Sequence, residues 1–171
     1  RIEISAKDLT IEGFGTISTE NARRRFGNGS SVGATAFGGE ADGGDVVITL
    51  TGALEILRAA FLWASVVDGA SGHGGNVSVH ADEISIAREG ADRGTGIFAH
   101  SGTIGVPQQP SSGGGGSVEI VADSLRLGSE PTPEVFSFIT ASAAYGGAGG
   151  DITLVVGSLV VRGDGVIQAT T

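Results

Sequence analysis

The 171-residue sequence predicts an all-β fold, a right-handed parallel β-helix built as a three-sided solenoid of about five rungs. Three observations predict it. Paired glycines open four segments that begin alike and differ in length. Each segment carries three short alternating strands in the same order. Aromatics make up only 5% of the chain while apolar residues reach 40%, so the core must be Val, Ile, Leu and Ala, as in a narrow core of many similar layers.

The glycine-led openings are Gly43-Gly44-Asp45-Val46, Gly74-Gly75-Asn76-Val77, Gly115-Gly116-Ser117-Val118 and Gly149-Gly150-Asp151-Ile152. Ile2-Glu3-Ile4 opens a fifth segment without its glycines. Rungs therefore start near 1, 44, 75, 116 and 150, and spacings from 31 to 41 residues mean a fixed rung with loops of variable length. The whole of 1–171 reads as one β-helix segment, expected to be a fragment of a longer repeat protein.

Within each rung the first strand alternates strictly, and period two means one buried face. Its inward sets are Ile2/Ile4/Ala6, Val46/Ile48/Leu50, Val77/Val79/Ala81, Val118/Ile120/Ala122 and Ile152/Leu154/Val156. A short corner follows, Asp82-Glu83 or Asp123-Ser124 for example. The second strand brings Leu9/Ile11, Leu54/Ile56, Ile84/Ile86, Leu125/Leu127 and Leu159/Val161. The third brings Ile17/Thr19, Leu62/Ala64, Ile97/Ala99, Ile139/Ala141 and Ile167/Ala169. Leu54 to Trp63 passes for a helix by composition, but alignment with the other rungs makes it two strands. Stacking puts like above like, giving the columns Ile4–Ile48–Val79–Ile120–Leu154 and Leu9–Leu54–Ile84–Leu125–Leu159. No column position carries a charge. The paired glycines permit positive φ and close approach of neighbouring turns. Asp45, Asn76, Ser117 and Asp151 follow them at one site, where short polar side chains can bond local backbone or stack as a ladder. The general chirality of parallel crossovers makes the coil right-handed.

Composition narrows the function. A net charge of −9 repels phosphate backbones, which argues against a nucleic-acid partner. The basic run Arg23-Arg24-Arg25 sits among turn residues and reads as a solvated loop. With no cysteine there is no disulfide, zinc thiolate site or cysteine nucleophile. No apolar run reaches the length of a membrane span.

Candidate chemistry is sparse. Asp82 and Asp123 would sit side by side on adjacent rungs, and clustered carboxylates can serve acid–base work or bind Ca²⁺. Two corner acids are more often solvated turn formers, so they are weak metal candidates and no catalytic residue is assigned. His73, His80 and His100 show no spacing for a metal triad. No cofactor motif appears, and Gly113 to Gly116 is not followed by the Lys-Ser/Thr of a phosphate loop. The binding candidate is aromatic. Alternation turns Trp63 and Phe98 outward on adjacent rungs, with Ser18, Thr140 and Gln168 continuing the column. Such rings form a platform for sugars or a protein partner, unless a loop carrying Phe26, Phe37 or Pro107–Pro110 covers them.

Gly-Gly-Asn-Val-Ser-Val, then Ala-Asp-Glu-Ile-Ser-Ile, then Ile-Thr-Ala-Ser and a glycine-rich return resemble the filamentous-haemagglutinin-like repeats of two-partner-secretion exoproteins. The resemblance covers nearly the whole chain. It departs from the pattern in the long return Glu20 to Asp42 and in the bulky Phe61-Leu62-Trp63. It implies a right-handed β-helix, passage through an outer-membrane transporter and exposure on the surface of a Gram-negative-type bacterium. The function expected is a structural or adhesive shaft segment rather than an enzyme, with cell-surface glycans or proteins as partners. Two alternatives stand beside it: a carbohydrate-binding or polysaccharide-cleaving β-helix module, and a protein-interaction module anchored by Trp63 and Phe98. Open rungs at either end have unpaired backbone groups and are expected to allow end-to-end self-association.

Overall fold

A computed structural model describes residues 1–13, 30–37, 39–67, 71–91, 93–101, 113–129, 136–143 and 147–170. Among these residues the fold is all-β, with no helix. The strands are β1 (Ile2–Ala6), β2 (Leu9–Glu12), β3 (Ser31–Phe37), β4 (Val46–Leu50), β5 (Ala53–Leu57), β6 (Phe61–Val67), β7 (Val77–Ala87), β8 (Thr95–Ser101), β9 (Val118–Leu127), β10 (Ser137–Ala143), β11 (Ile152–Val161) and β12 (Gly165–Thr170). Every pairing among them is parallel. The Leu54 to Trp63 stretch is strand, as its alignment with the other repeats requires.

The register reproduces both expected columns. Ile4 pairs with Ile48, Ile48 with Val79, Val79 with Ile120 and Ile120 with Leu154. Leu9, Leu54, Ile84, Leu125 and Leu159 stack in the same way. A third file runs Val32–Leu62–Ile97–Ile139–Ile167. The middle members Ile48, Leu54, Leu62, Ile97, Ile120, Leu125 and Ile139 are wholly buried, 0% exposed. Burying each such side chain is worth about 1.5–3 kcal/mol, so three uncharged files hold the repeats together. The end members Ile4, Leu9, Val32, Leu154 and Ile167 are only partly buried, and among the described residues each has a file neighbour on one side alone.

Two details differ from the sequence reading. The strands form two hydrogen-bonded sheets, of seven and five strands, where three were expected. The reason lies at the corner. At Asp82 and Asp123 the ladder skips a single residue and resumes at once, so β7, β9 and β11 each run through both expected strands. The second repeat has one residue more between Leu50 and Leu54, and Thr51-Gly52 separates β4 from β5. The other difference is the third strand of the first repeat. Ile17, Ser18 and Thr19 lie outside the described residues, and the strand paired with β6 is β3, inside the expected long return. Val32 and Ala34 therefore occupy the inward sites, and Gly33 the outward one.

The paired glycines serve close approach alone. Positive φ occurs among the described glycines at Gly39, Gly90, Gly128 and Gly163, and none of these belongs to the pairs that open a segment. A Cβ added to Gly75 would lie 2.3 Å from the Gly44 carbonyl oxygen, one on Gly116 2.0 Å from that of Gly75, and one on Gly150 1.8 Å from that of Gly116. Backbone rests directly on backbone at this turn. Beside it the expected polar ladder forms. Asp45 Oδ1 accepts from Asn76 N at 3.1 Å, and Asn76 Oδ1 accepts from Ser117 N at 3.1 Å. A second ladder runs parallel, with Asp42 Oδ1 accepting from His73 N at 2.7 Å and His73 Nδ1 from Gly114 N at 3.2 Å.

The corner before the third strand is polar and buried. Arg88 is 6% and Asp164 3% exposed. Arg88 Nε lies 3.5 Å from Asp164 Oδ2, an ion pair without hydrogen-bond geometry at that nitrogen. Arg88 Nη1 donates to the Ala91 carbonyl. Asp164 also accepts from Ser137 Oγ at 3.2 Å and from Ser129 N at 2.5 Å. One carboxylate thus joins the third, fourth and fifth repeats. In the second repeat Arg58 and Ala59 hold φ of 53° and 63°, and Thr95 Oγ1 accepts from Ala59 N at 2.8 Å. The Arg58 guanidinium bridges Glu12 at 2.7 Å and Glu89 at 3.1 Å, a vertical ionic ladder across three repeats.

Candidate functional site

Trp63 and Phe98 are paired in register on the outward face of the five-stranded sheet, as alternation requires. Their ring centroids are 5.3 Å apart. They are half of a larger group. Phe61 lies 6.3 Å from Trp63 and 6.0 Å from Phe98, and Phe138 lies 6.1 Å from both Phe61 and Phe98. Phe61 and Phe138 belong to strands two repeats apart. They meet because the residue between them in the column is Gly96, whose added Cβ would fall 2.8 Å from the Phe138 ring. Gly33 plays the same part beneath Trp63, where an added Cβ would fall 1.5 Å from the indole Nε1. Each outward column thus holds one glycine beside its rings, and rings from three strands fill the space the glycines leave.

This packing changes what the aromatic group can do. Phe98 is 4% exposed and lies inside the cluster, so it offers no open ring face. Phe61, Trp63 and Phe138 are half-buried. The arrangement is a second, outer hydrophobic core, with His100 at its border 6.5 Å from Phe98 and bonded to Ser142 Oγ at 3.0 Å through Nδ1. Of the residues expected to cover it, Phe26 and Pro107–Pro110 lie outside the described residues, as does the Phe37 side chain. Phe61 and Phe138 escaped the sequence reading because only one outward column was followed. Their signal was present, two residues before Trp63 and two before Thr140.

Asp82 and Asp123 occupy equivalent corner positions on adjacent repeats, both exposed. They border a shallow groove of about 540 Å³ whose floor includes His80, Val121 and Val155. His80 pairs with Val121, so that histidine stands outward in a mixed column. The fifth repeat puts Gly157 at the corner, so the carboxylates number two along this groove wall. No group of three or more His, Asp or Glu suited to a metal ion occurs among the described residues.

Comparison with family models, with curated proteins and with solved structures finds no match to this chain.

Proposed function

We propose that this chain is a structural shaft segment, a right-handed parallel β-helix of about five turns from a secreted, surface-associated bacterial exoprotein. One observation carries the reading: three uncharged files of side chains stay in parallel register through five repeats. Such a stack is stiff along its axis, since every turn is held to the next by backbone hydrogen bonds and apolar contact. A turn adds about 4.8 Å of length. A shaft of this kind would carry other parts of an exoprotein away from the cell, with loops and the outer aromatic core as its lateral surfaces. The likeness of its glycine-led openings to filamentous-haemagglutinin-like repeats supports export through an outer-membrane transporter, and contact with cell-surface glycans or proteins.

Two experiments test it. Antibody against the chain should label intact cells of the source bacterium, and labelling only after lysis would overturn the surface role. The groove beside Asp82 and Asp123 favours one rival reading, a carbohydrate-cleaving module. Incubation with acidic and neutral polysaccharides should give no turnover. Turnover that Asp82→Ala with Asp123→Ala abolishes would replace the shaft by an enzyme.

A further inference from the structure

The position before each opening glycine pair is held by Asp42, His73, Gly114 and Ala148 in successive repeats, and the position after it by Asp45, Asn76, Ser117 and Asp151. Both polar ladders step from the third repeat to the fourth through one side chain. After the pair that side chain is Asn76, whose Oδ1 accepts from Ser117 N at 3.1 Å. Before the pair it is His73, whose Nδ1 accepts from Gly114 N at 3.2 Å. An amide oxygen accepts whatever the pH. A ring nitrogen accepts only while it carries no proton.

We propose that His73 makes the turn at Gly113 and Gly114 a pH-sensitive step in the stack. The fit there is close. Gly114 is buried, and a Cβ added to it would fall 2.8 Å from His73 Nδ1. Among the described residues the ring is the one acceptor of the Gly114 N–H. A proton on Nδ1 sets donor against donor, and that N–H loses its partner inside the fold, which is costly. The opened turn loses nothing when the ring takes a proton, so acid favours opening. Of the groups packed about His73, the second repeat brings the Asp42 carboxylate, bonded to His73 N at 2.7 Å on the side away from Gly114. Gly43, whose N donates to the His73 carbonyl, and Gly114 itself bring no charge. Two further bonds tie the turn, Ser101 Oγ donating to the Gly113 carbonyl and Gly74 N to the Gly114 carbonyl at 2.9 Å. Neither involves a group that titrates near neutral pH. The step is therefore local, loosening one turn ahead of the Gly115-Gly116 pair while the apolar files stay intact. The inference goes beyond the shaft role, since a stack of any function could carry such a turn, and its failure would leave that role standing.

Nuclear magnetic resonance of the isotope-labelled chain tests it. From about pH 8 to about pH 5, across the ordinary imidazole range, the Gly114 amide should shift together with the His73 ring. Its hydrogen-exchange protection, corrected for the intrinsic rate, should fall about tenfold, the worth of one hydrogen bond. The Ser117 amide, on the Asn76 step, should keep its protection and serves as a reference within the same molecule. His73→Asn installs the side chain that Asn76 already supplies beside it and should hold the Gly114 protection constant. His80→Asn, which removes an exposed histidine outside the ladder, should leave the fall in place. A Gly114 amide that ignores the His73 titration, a fall shared equally by Ser117, or one that persists in His73→Asn would overturn the proposal.

Discussion

At the scale of single residues, the glycine pairs matter through what they lack. The carbonyl of one turn occupies the space a Cβ would need on the next, and backbone atoms cannot swing aside as a side chain can. Gly116→Ala is therefore expected to destabilise by at least the roughly 1–3 kcal/mol typical of overpacking, read as a lowered urea midpoint. Gly39→Ala, which meets nothing within 4 Å, has only its φ of 74° to strain and should cost less. Asp8 gives a pH dependence. Its carboxyl is held below the ordinary 3.8 chiefly by the Ala53 backbone N–H at 2.9 Å, with desolvation opposing and the Lys7 ammonium adding. A depressed folded-state value means the unfolded chain takes up the proton first. The contribution is then complete above the ordinary carboxyl range and fades as pH falls through the folded value. The wild type should exceed Asp8→Asn in urea midpoint at pH 6, and the gap should close below about pH 4; a gap independent of pH would show that the charge is not what matters.

At the scale of elements, the sequence reveals strands wherever an apolar alternation follows a marker. Val77, Val79 and Ala81 after Gly74-Gly75 are unmistakable, and so are the first strands after Gly43-Gly44, Gly115-Gly116 and Gly149-Gly150. The third strand of the first repeat has no such marker. Its inward residues are Val32 and Ala34 around Gly33, a weaker alternation than Ile17/Thr19. What selects it is tertiary: the Trp63 indole needs a glycine beneath it. The burial of Phe98 was equally hidden, since an outward residue becomes buried only when rings from neighbouring repeats reach over it. Position in a strand told its direction but not its cover. The Arg88–Asp164 pair was invisible for a related reason, as its members lie 76 positions apart in the chain and meet across repeats. Arg88→Met should cost about 3–5 kcal/mol by leaving a buried carboxylate without its cation. Arg88→Met with Asp164→Leu should recover part of that loss, and a double-mutant cycle in urea measures the difference. Asn76→Ala removes one step of the polar ladder and should cost about 1 kcal/mol.

At the scale of the whole molecule, the repeats resemble a one-dimensional stack in which backbone pairing joins each unit only to its neighbours, and a few side chains, Phe61 with Phe138 and Arg88 with Asp164, reach one unit further. Stability should then depend on depth. Ile120→Ala, in the middle of its file, is expected to cost about 2–5 kcal/mol, and Leu154→Ala at the end of the same file markedly less. Equal costs would mean that depth in the stack does not set stability. Heat or urea should also open the fifth repeat before the third, which hydrogen exchange would report as protection falling from β7 toward β11.

The central claim is that successive repeats lie in register along one axis, and spin-label distances test it most directly. The pairs Glu3/Thr153, Thr10/Val160 and Thr35/Thr170 each join the first and last repeats within a single outward column. Measured by electron–electron resonance in chains diluted with unlabelled protein, all three should report one common backbone separation of four steps, about 19 Å. Three clearly unequal separations, or any pair folded back to within one step, would contradict the account.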